Sequence, residues 1–196
     1  IDVMTFMLVE KRLASGLKDR VQATIESMNA DEIRSIATRR QAGHWALLRA
    51  GESSTPRAAL HAVYEALVAA AEFFALRNKY KAGFDYPDAA SMYQAYESEL
   101  YRFDQLYRFF CEYADIAEQQ GWSLLKSLRT ELENCYVNWY IQECARSWGK
   151  FIEDGGLLDT WKLDKIANQY EFYQKNVLPY LDEADNRRAF VIISDA

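Results

Sequence analysis

Eight apolar side chains recur at helical spacing between residues 92 and 117, and this stripe constrains the fold more than any other feature of the sequence. They are Met92, Tyr96, Leu100, Phe103, Tyr107, Phe110, Ala114 and Ala117. Their mean step of about 3.6 residues is the period of the α-helix. The stripe therefore predicts one long amphipathic helix, starting at Asp88 and reaching about Gln119.

Similar spacing recurs along most of the chain, and helix breakers are scarce. The 196 residues include only 8 Gly and 3 Pro, so the elements should be long and the turns few. The expected helix starts are Asp31, Thr55-Pro56 and Asp88, and the expected breaks or ends are Gly16, Gly121 and Gly155-Gly156. We expect a last helix over residues 163–178. The sequence thus predicts an all-α array of about six or seven helices.

Composition limits the classes of function. The net charge of −6 disfavours binding to phosphate backbones in bulk, although it leaves room for a local basic patch. The three cysteines, Cys111, Cys135 and Cys144, fall inside helical apolar patterns, which favours buried free thiols and a reducing, cytoplasmic compartment. No run of 18 apolar residues occurs, so we expect no membrane span.

The last eight residues differ from all that precede them. Residues 189–193 form a continuous apolar run, typical of a central strand in a parallel sheet. A lone strand has no partner for its backbone groups. We therefore expect a helical domain over 1–181, a linker over 182–188, and at 189–196 the first strand of an α/β domain that the chain does not contain.

Asp195 directly follows this predicted strand. The carboxyl edge of an open α/β sheet is where ligand and metal sites form, and a carboxylate suits zinc, magnesium or manganese. An aspartate at this position also caps a following helix in many proteins. The pattern alone leaves both roles open.

The stretch from Phe190 to Ala196 resembles the opening strand of the PglZ domain, whose typical form continues with Leu-Arg-Tyr-Glu. Four upstream segments resemble the helical region of the same family, in the same order: RRQAGHW at 39–45, YRFFCEYAD at 107–115, YVNWY at 136–140, and Phe172-Tyr173 before VLP at 177–179. The resemblance covers most of residues 20–196 and is strongest to type A PglZ proteins of type 1 BREX anti-phage systems.

The resemblance implies that the whole protein is a hydrolase of the alkaline-phosphatase superfamily with a divalent-metal centre. Asp195 would be one metal ligand, while the nucleophile and the other ligands would follow residue 196. The chain itself would be a non-catalytic scaffold without a cofactor. Its partners would be its own PglZ domain and other BREX proteins, namely the methyltransferase, the ATPase and small accessory proteins.

Arg39, Arg40, His44 and Trp45 form a second candidate site, for a phosphate or a partner. Arginines beside an aromatic side chain hold phosphate or stack on a base. The alternative is a purely structural role, in which these residues form a helix end with solvated arginines and a packed tryptophan. Two alternatives to the scaffold remain: a nucleic-acid-contacting module, in which these residues converge with Arg77, Lys79 and Lys81, or an unrelated helical interaction domain.

Overall fold

The structure, a computed structural model, describes residues 7–52, 55–154, 156–163, 166–182 and 188–192. Within these residues the chain forms seven helices and no strand, which confirms the all-α prediction. The helices are α1 (Met7–Ala23), α2 (Ala30–Gln41), α3 (Pro56–Lys79), α4 (89–119), α5 (126–154), α6 (Leu157–Thr160) and α7 (173–182).

The two longest helices, α4 and α5, each contain a wider π-helical segment. In α4 it is Tyr96–Leu100, and in α5 it is Tyr136–Ile141. A third π-helical segment, Tyr173–Val177, opens α7. Because a π turn contains more residues than an α turn, it rotates the side chains that follow it relative to those before it. In each of the two long helices, the apolar face after the π-helical segment is therefore rotated about the helix axis relative to the apolar face before it.

The central element is α3, a 24-residue helix whose side chains are buried around most of its circumference. It packs against α1, α2 and the second half of α4. Its many alanines allow close approach of these neighbours. It is also the one helix in the described ranges with the length and hydropathy of a membrane span, but 78% of that window is buried inside the protein. Since the core helix of a folded domain passes the same test, this burial assigns α3 to the core.

An aromatic cluster joins α3, α4 and α5. Phe103 of α4 lies at its centre, stacked on Tyr140 of α5 at 4.6 Å between ring centroids and edge-on to Phe73 of α3 at 5.4 Å. Phe84, in the loop between α3 and α4, packs edge-on against Tyr140. Rings at these distances add to the hydrophobic contribution of their burial. The cluster fixes α5 against the α3–α4 pair.

Several predicted helix boundaries are confirmed. The Thr55 hydroxyl accepts a hydrogen bond from the Ala58 amide at 3.1 Å, with Pro56 at the first helical position. The Asp88 carboxylate caps α4 through the Ser91 amide at 2.7 Å. Gly121, just beyond α4, adopts a left-handed φ of 77° that favours glycine.

Two predicted boundaries at the start of the chain are wrong. Gly16 does not interrupt α1, because one interior glycine costs only about 1 kcal/mol and the buried Ala14, Leu17 and Val21 hold the helix together. The cap of α2 is Asn29, whose side chain accepts from the Glu32 amide, and not Asp31. Asp31 lies instead in the first turn, where its charge favours the helix dipole.

The predicted helix over 163–178 is wrong in its first half. Residues 161–163 and 166–168 have no regular structure, and α7 begins at Tyr173. Tyr170 is exposed and Ile166 is only partly buried, so the stretch before Tyr173 lacks the packed face on which most protein helices depend. Residues 188–192 form no strand, whereas Asp195 lies outside the described residues. The strand over 189–196 therefore stays a prediction, as do the domain boundaries.

A buried ion pair ties the first three helices together. Glu10 of α1 is 3% exposed and accepts from both Nε and Nη2 of Arg40 on α2. The hydroxyl of Tyr64 on α3 donates to the same carboxylate at 2.6 Å. Burial raises the pKa of Glu10, but the hydrogen bonds and charge of its partners outweigh burial, and its pKa falls below the ordinary value of 4.5. The carboxylate therefore stays charged inside the protein.

We predict that Glu10→Gln lowers the free energy of unfolding by about 3–5 kcal/mol, because it removes the buried carboxylate that pairs with the Arg40 guanidinium. Urea unfolding at pH 7 measures this. The folded-state pKa of Glu10 is depressed, so its contribution is present above pH 4.5 and disappears as the pH falls through the lower folded-state value. The difference between the two proteins should shrink over the same range.

Glu32→Gln is the matched control, because Glu32 also pairs with an arginine across α1 and α2, namely Arg20, but at the surface. Exposed pairs contribute less than about 1 kcal/mol. Equal losses in the two variants would contradict the role given to the buried pair.

Candidate functional site

The four residues of the predicted phosphate or partner site do not form one exposed cluster. Arg40 points inward to Glu10, whereas Arg39 and His44 are exposed and Trp45 is half-buried. The His44 and Trp45 rings meet edge to face at 5.0 Å. Arg40 has its pKa raised by its hydrogen bond to Glu10, so it is a permanent cation held in the core. A contact by Arg39, His44 and Trp45 stays a prediction.

Arg77 and Lys79, two of the basic residues named for a nucleic-acid surface, form ion pairs. Arg77 binds Glu26 at 2.7 Å and lies over the ring of Trp139. Lys79 binds Glu99 at 2.6 Å. Because their charges are matched by neighbouring carboxylates, these residues add little to a positive field around the protein.

The described residues do bring together a different group, centred on Asp104 in α4. Its Oδ1 accepts from the Tyr136 hydroxyl at 2.7 Å. Its Oδ2 accepts from the Tyr140 hydroxyl at 2.8 Å and from the Tyr96 hydroxyl at 3.1 Å. We call these four residues the tyrosine–aspartate cluster.

The π-helical segments place the cluster. Tyr96 and Asp104 are eight residues apart, which in an ideal α-helix puts them about 80° apart around the axis. The wider turns of Tyr96–Leu100 take up most of that offset. Tyr136 and Tyr140 both lie in the π-helical segment of α5. The cluster therefore sits where the π-helical segments of the two long helices meet, and such segments are frequent at functional sites.

Each tyrosine of the cluster keeps its proton at neutral pH. Burial, followed by the hydrogen bond to Asp104, raises the pKa of Tyr136. Burial, and then the neighbouring Cys144 and Asp104, raise the pKa of Tyr140. Burial and the charge of Asp104 raise the pKa of Tyr96. The three hydroxyls therefore act as donors to the carboxylate.

A groove of about 440 Å³ opens beside the cluster and is lined mostly by apolar side chains. Tyr93, Tyr96, Ile141 and Trp148 form much of its wall, and Asp104 contributes the charged group. Cys144 also lines the groove, and burial raises its thiol pKa to about 11, so it is not a thiolate at neutral pH. The arrangement suits binding rather than nucleophilic chemistry.

Sequence reasoning assigned these aromatic faces mainly to the core and missed the cluster. Tyr136 and Tyr140 share a helical spacing of four that marks one face. The relation between Tyr96 and Asp104, by contrast, depends on a π turn that no residue pattern reveals. Within the described ranges no three His, Cys, Asp or Glu side chains gather in a way that suits a metal ion.

The chain is similar in sequence to two known proteins. It is 32% identical over 192 residues to the alkaline phosphatase-like protein BrxZ of Escherichia coli O9:H4 (strain HS), a match covering 98% of this chain and 21% of BrxZ. The chain belongs to the PglZ family. It is also 32% identical over 136 residues to the alkaline phosphatase-like protein PglZ of Bacillus cereus (strain H3081.97), covering 68% of this chain and 15% of that protein.

This PglZ-family chain thus spans about a fifth or less of the length of these two relatives. No family model matches it. No solved structure matches it either. The suspected family is shown by the two relatives, whereas the place of Asp195 in a metal centre is not tested by them.

We predict that Tyr140→Phe lowers the free energy of unfolding by about 1.5–3 kcal/mol, because it removes a buried donor to a charged acceptor and leaves the ring in place. Tyr140 is 1% exposed, and its single hydroxyl proton lies closer to Asp104, at 2.8 Å between oxygens, than to the Leu100 carbonyl, at 3.2 Å. Urea unfolding followed by circular dichroism measures the loss. Tyr93→Phe, at an exposed groove position, should change it by less than about 0.5 kcal/mol, and a similar loss in both variants would argue against the cluster.

Proposed function

We propose that this chain is a non-catalytic helical scaffold and interaction region of a PglZ-type protein of a BREX anti-phage system. The observation that carries the proposal is the apolar surface of residues 157–192. The last described residues of this stretch, 190–192, belong to the segment that resembles the first strand of the PglZ domain. A scaffold role requires such a surface on the side of the chain that joins the next domain.

The apolar surface of 157–192 is extensive. Trp161 is 61% exposed, Tyr170 69%, Phe190 88% and Ile192 92%. Isolated apolar side chains are common on protein surfaces, but many within one short stretch mark an interface. The turn Gln169–Glu171 and α7 pack mainly on each other. Docking onto the phosphatase-like domain would remove these side chains from water.

The parent's activity is the second part of the proposal. Both relatives are named alkaline phosphatase-like, which supports a metal-dependent hydrolase as the whole protein. Asp195 would supply one ligand for zinc, magnesium or manganese. One carboxylate does not hold a catalytic metal alone, so further ligands would come from the rest of the protein. We therefore assign no catalytic step to this chain.

Other BREX proteins are proposed as further partners, namely the methyltransferase, the ATPase and the small accessory proteins, in the cytoplasm. The nucleic-acid-contacting module is the weaker alternative. Its basic residues Arg40, Arg77 and Lys79 are paired with carboxylates, and the chain carries a net charge of −6.

We predict that the amides of Gln169–Glu171 and of α7 exchange hydrogen more slowly in the full-length protein than in the 196-residue chain, because the adjoining domain covers this surface. Hydrogen–deuterium exchange with mass spectrometry measures both. Exchange in α3 should be equal in the two proteins. Equal exchange at α7 as well would refute docking through this surface.

A pair of double variants sharpens that experiment. Trp161→Ser with Tyr170→Ser should restore fast exchange in α7 of the full-length protein. Tyr101→Ser with Phe109→Ser removes two aromatic side chains from α4 that are 39% and 41% exposed and should leave the protection unchanged. Loss of protection in both variants would point to general destabilisation.

We predict metal-dependent hydrolysis of a phosphomonoester or phosphodiester by the full-length protein and none by the 196-residue chain. Asp195→Ala should remove most of the turnover, because a lost ligand weakens the metal site. Activity with and without zinc, magnesium or manganese measures this, with Asp115→Ala as a control at an exposed aspartate paired with Arg129. Turnover by the chain alone, or full activity of Asp195→Ala, would overturn the proposal.

A further inference from the structure

The groove beside the tyrosine–aspartate cluster combines a charged group, aromatic walls and an apolar floor. We propose that this groove binds an arginine side chain presented by an apolar-flanked segment of a protein partner. The charge, the hydrogen-bond polarity and the shape of the groove each favour this ligand.

The first step is charge. Asp104 lies in the groove as a carboxylate, and no basic side chain of the described ranges comes within ion-pair distance of it. Most other acidic groups near helix contacts, such as Glu10, Glu72 and Glu99, do have such a partner. Within the part of the chain that the structure describes, the half-buried Asp104 carboxyl group is thus held by hydroxyl donors and has no cationic partner. A cation in the groove would be strongly favoured.

The second step is hydrogen-bond polarity. A tyrosine hydroxyl has one proton and two acceptor lone pairs. Tyr96, Tyr136 and Tyr140 all give that proton to Asp104. What remains on the exposed Tyr96 hydroxyl is acceptor capacity, and a carboxylate with three donors has room for a fourth. The oxygens of Asp104 and Tyr96 therefore have room to accept from a further donor, which favours a cationic donor over a carboxylate or phosphate as the ligand.

The third step is shape. Tyr93, Tyr96 and Trp148 line the groove, and aromatic faces attract cations. A guanidinium stacks on such rings and offers five donors, whereas an ammonium is a compact and strongly hydrated charge. Met92, Ile141 and Ala145 supply apolar contacts for the methylene stem. Arginine satisfies all three features at once, and the net charge of −6 favours the approach of a basic segment.

This inference goes beyond the proposed scaffold function and does not depend on it. The groove is built from α4 and α5, whereas the surface proposed to meet the phosphatase-like domain is residues 157–192. Equal hydrogen exchange at α7 in the two proteins would therefore refute docking without contradicting the binding of arginine in the groove. Failure of the peptides to bind would likewise leave the docking proposal standing.

The test is a fluorescence anisotropy titration of the full-length protein with labelled Leu-Arg-Leu peptide, acetylated and amidated at its ends. The matched probe replaces arginine by citrulline, which has nearly the same shape but no charge. A third probe carries lysine. We expect binding of the arginine peptide to be about tenfold tighter than that of the citrulline peptide, with lysine in between.

Two variants assign the binding to the groove. Asp104→Asn removes the charge, and Ile141→Lys, at a 43% exposed position of the groove wall, offers the carboxylate a cation from the protein itself. Each variant should bind the arginine peptide about tenfold more weakly. Asp115→Asn, on the same helix as Asp104, should leave the affinity for this peptide unchanged. If Asp104→Asn does not fold, as judged by circular dichroism, the Ile141→Lys variant decides.

The proposal is overturned if the arginine and citrulline peptides bind equally, if no peptide binds, or if Ile141→Lys binds the arginine peptide like the natural sequence. A lysine peptide that binds more tightly than the arginine peptide would also overturn it, since it would show that charge alone is read.

Discussion

The architecture depends on the burial of α3. Because this helix is covered around most of its circumference, α1, α2 and α4 are each placed by their contact with it. Alanine at many of its positions lets those helices approach closely, so small differences in side-chain volume set their distances. The Glu10–Arg40–Tyr64 group fixes the positions of α1 and α2 around α3. It does so because removing one partner of a buried charge is strongly destabilising. Through Phe73 and Phe103 the same helix sets the position of α4, and thereby of everything that α4 carries.

The π-helical segments are the second constraint. They set the direction in which side chains point around the axes of α4 and α5, and do not set where these helices lie. A wider turn is less favourable than an α turn, so it persists where other contacts support it. Asp104 supplies such contacts, since its oxygens accept hydrogen bonds from residues of both segments. The stacked rings of Tyr107 and Tyr136, at 4.1 Å, add to this support. Without the wider turn in α4, Tyr96 would point away from the groove. The groove and the local helical geometry therefore depend on each other.

Much of the fold could be predicted from the sequence because its signals are local. The caps at Thr55 and Asp88 and the stop at Gly121 follow from hydrogen-bonding capacity and backbone preference, which each residue carries with it. The predictions for Gly16 and for the first half of 163–178 were wrong because packing decides there. Helix α1 continues where its face is buried, whereas residues 166–168 are irregular and the adjoining Tyr170 is exposed. Arg40 shows the same limit for the site. An arginine beside a tryptophan motif is typical of ligand contact, but the partner that captures it, Glu10, lies 30 residues away in sequence.

The abundance of aromatic residues has two separate explanations in the structure. Phe73, Phe103 and Tyr140 complete the contact among α3, α4 and α5, and the core needs no further rings there. The exposed aromatic side chains described between residues 157 and 192 take no part in that core, and leaving a large apolar side chain in water forfeits about 1.5–3 kcal/mol relative to burial. This chain spans about a fifth or less of the length of the two relatives. The exposed rings are the side chains that the proposed docking interface would cover. The Asp104 groove, which carries a charge as well as rings, calls for a ligand of different chemistry.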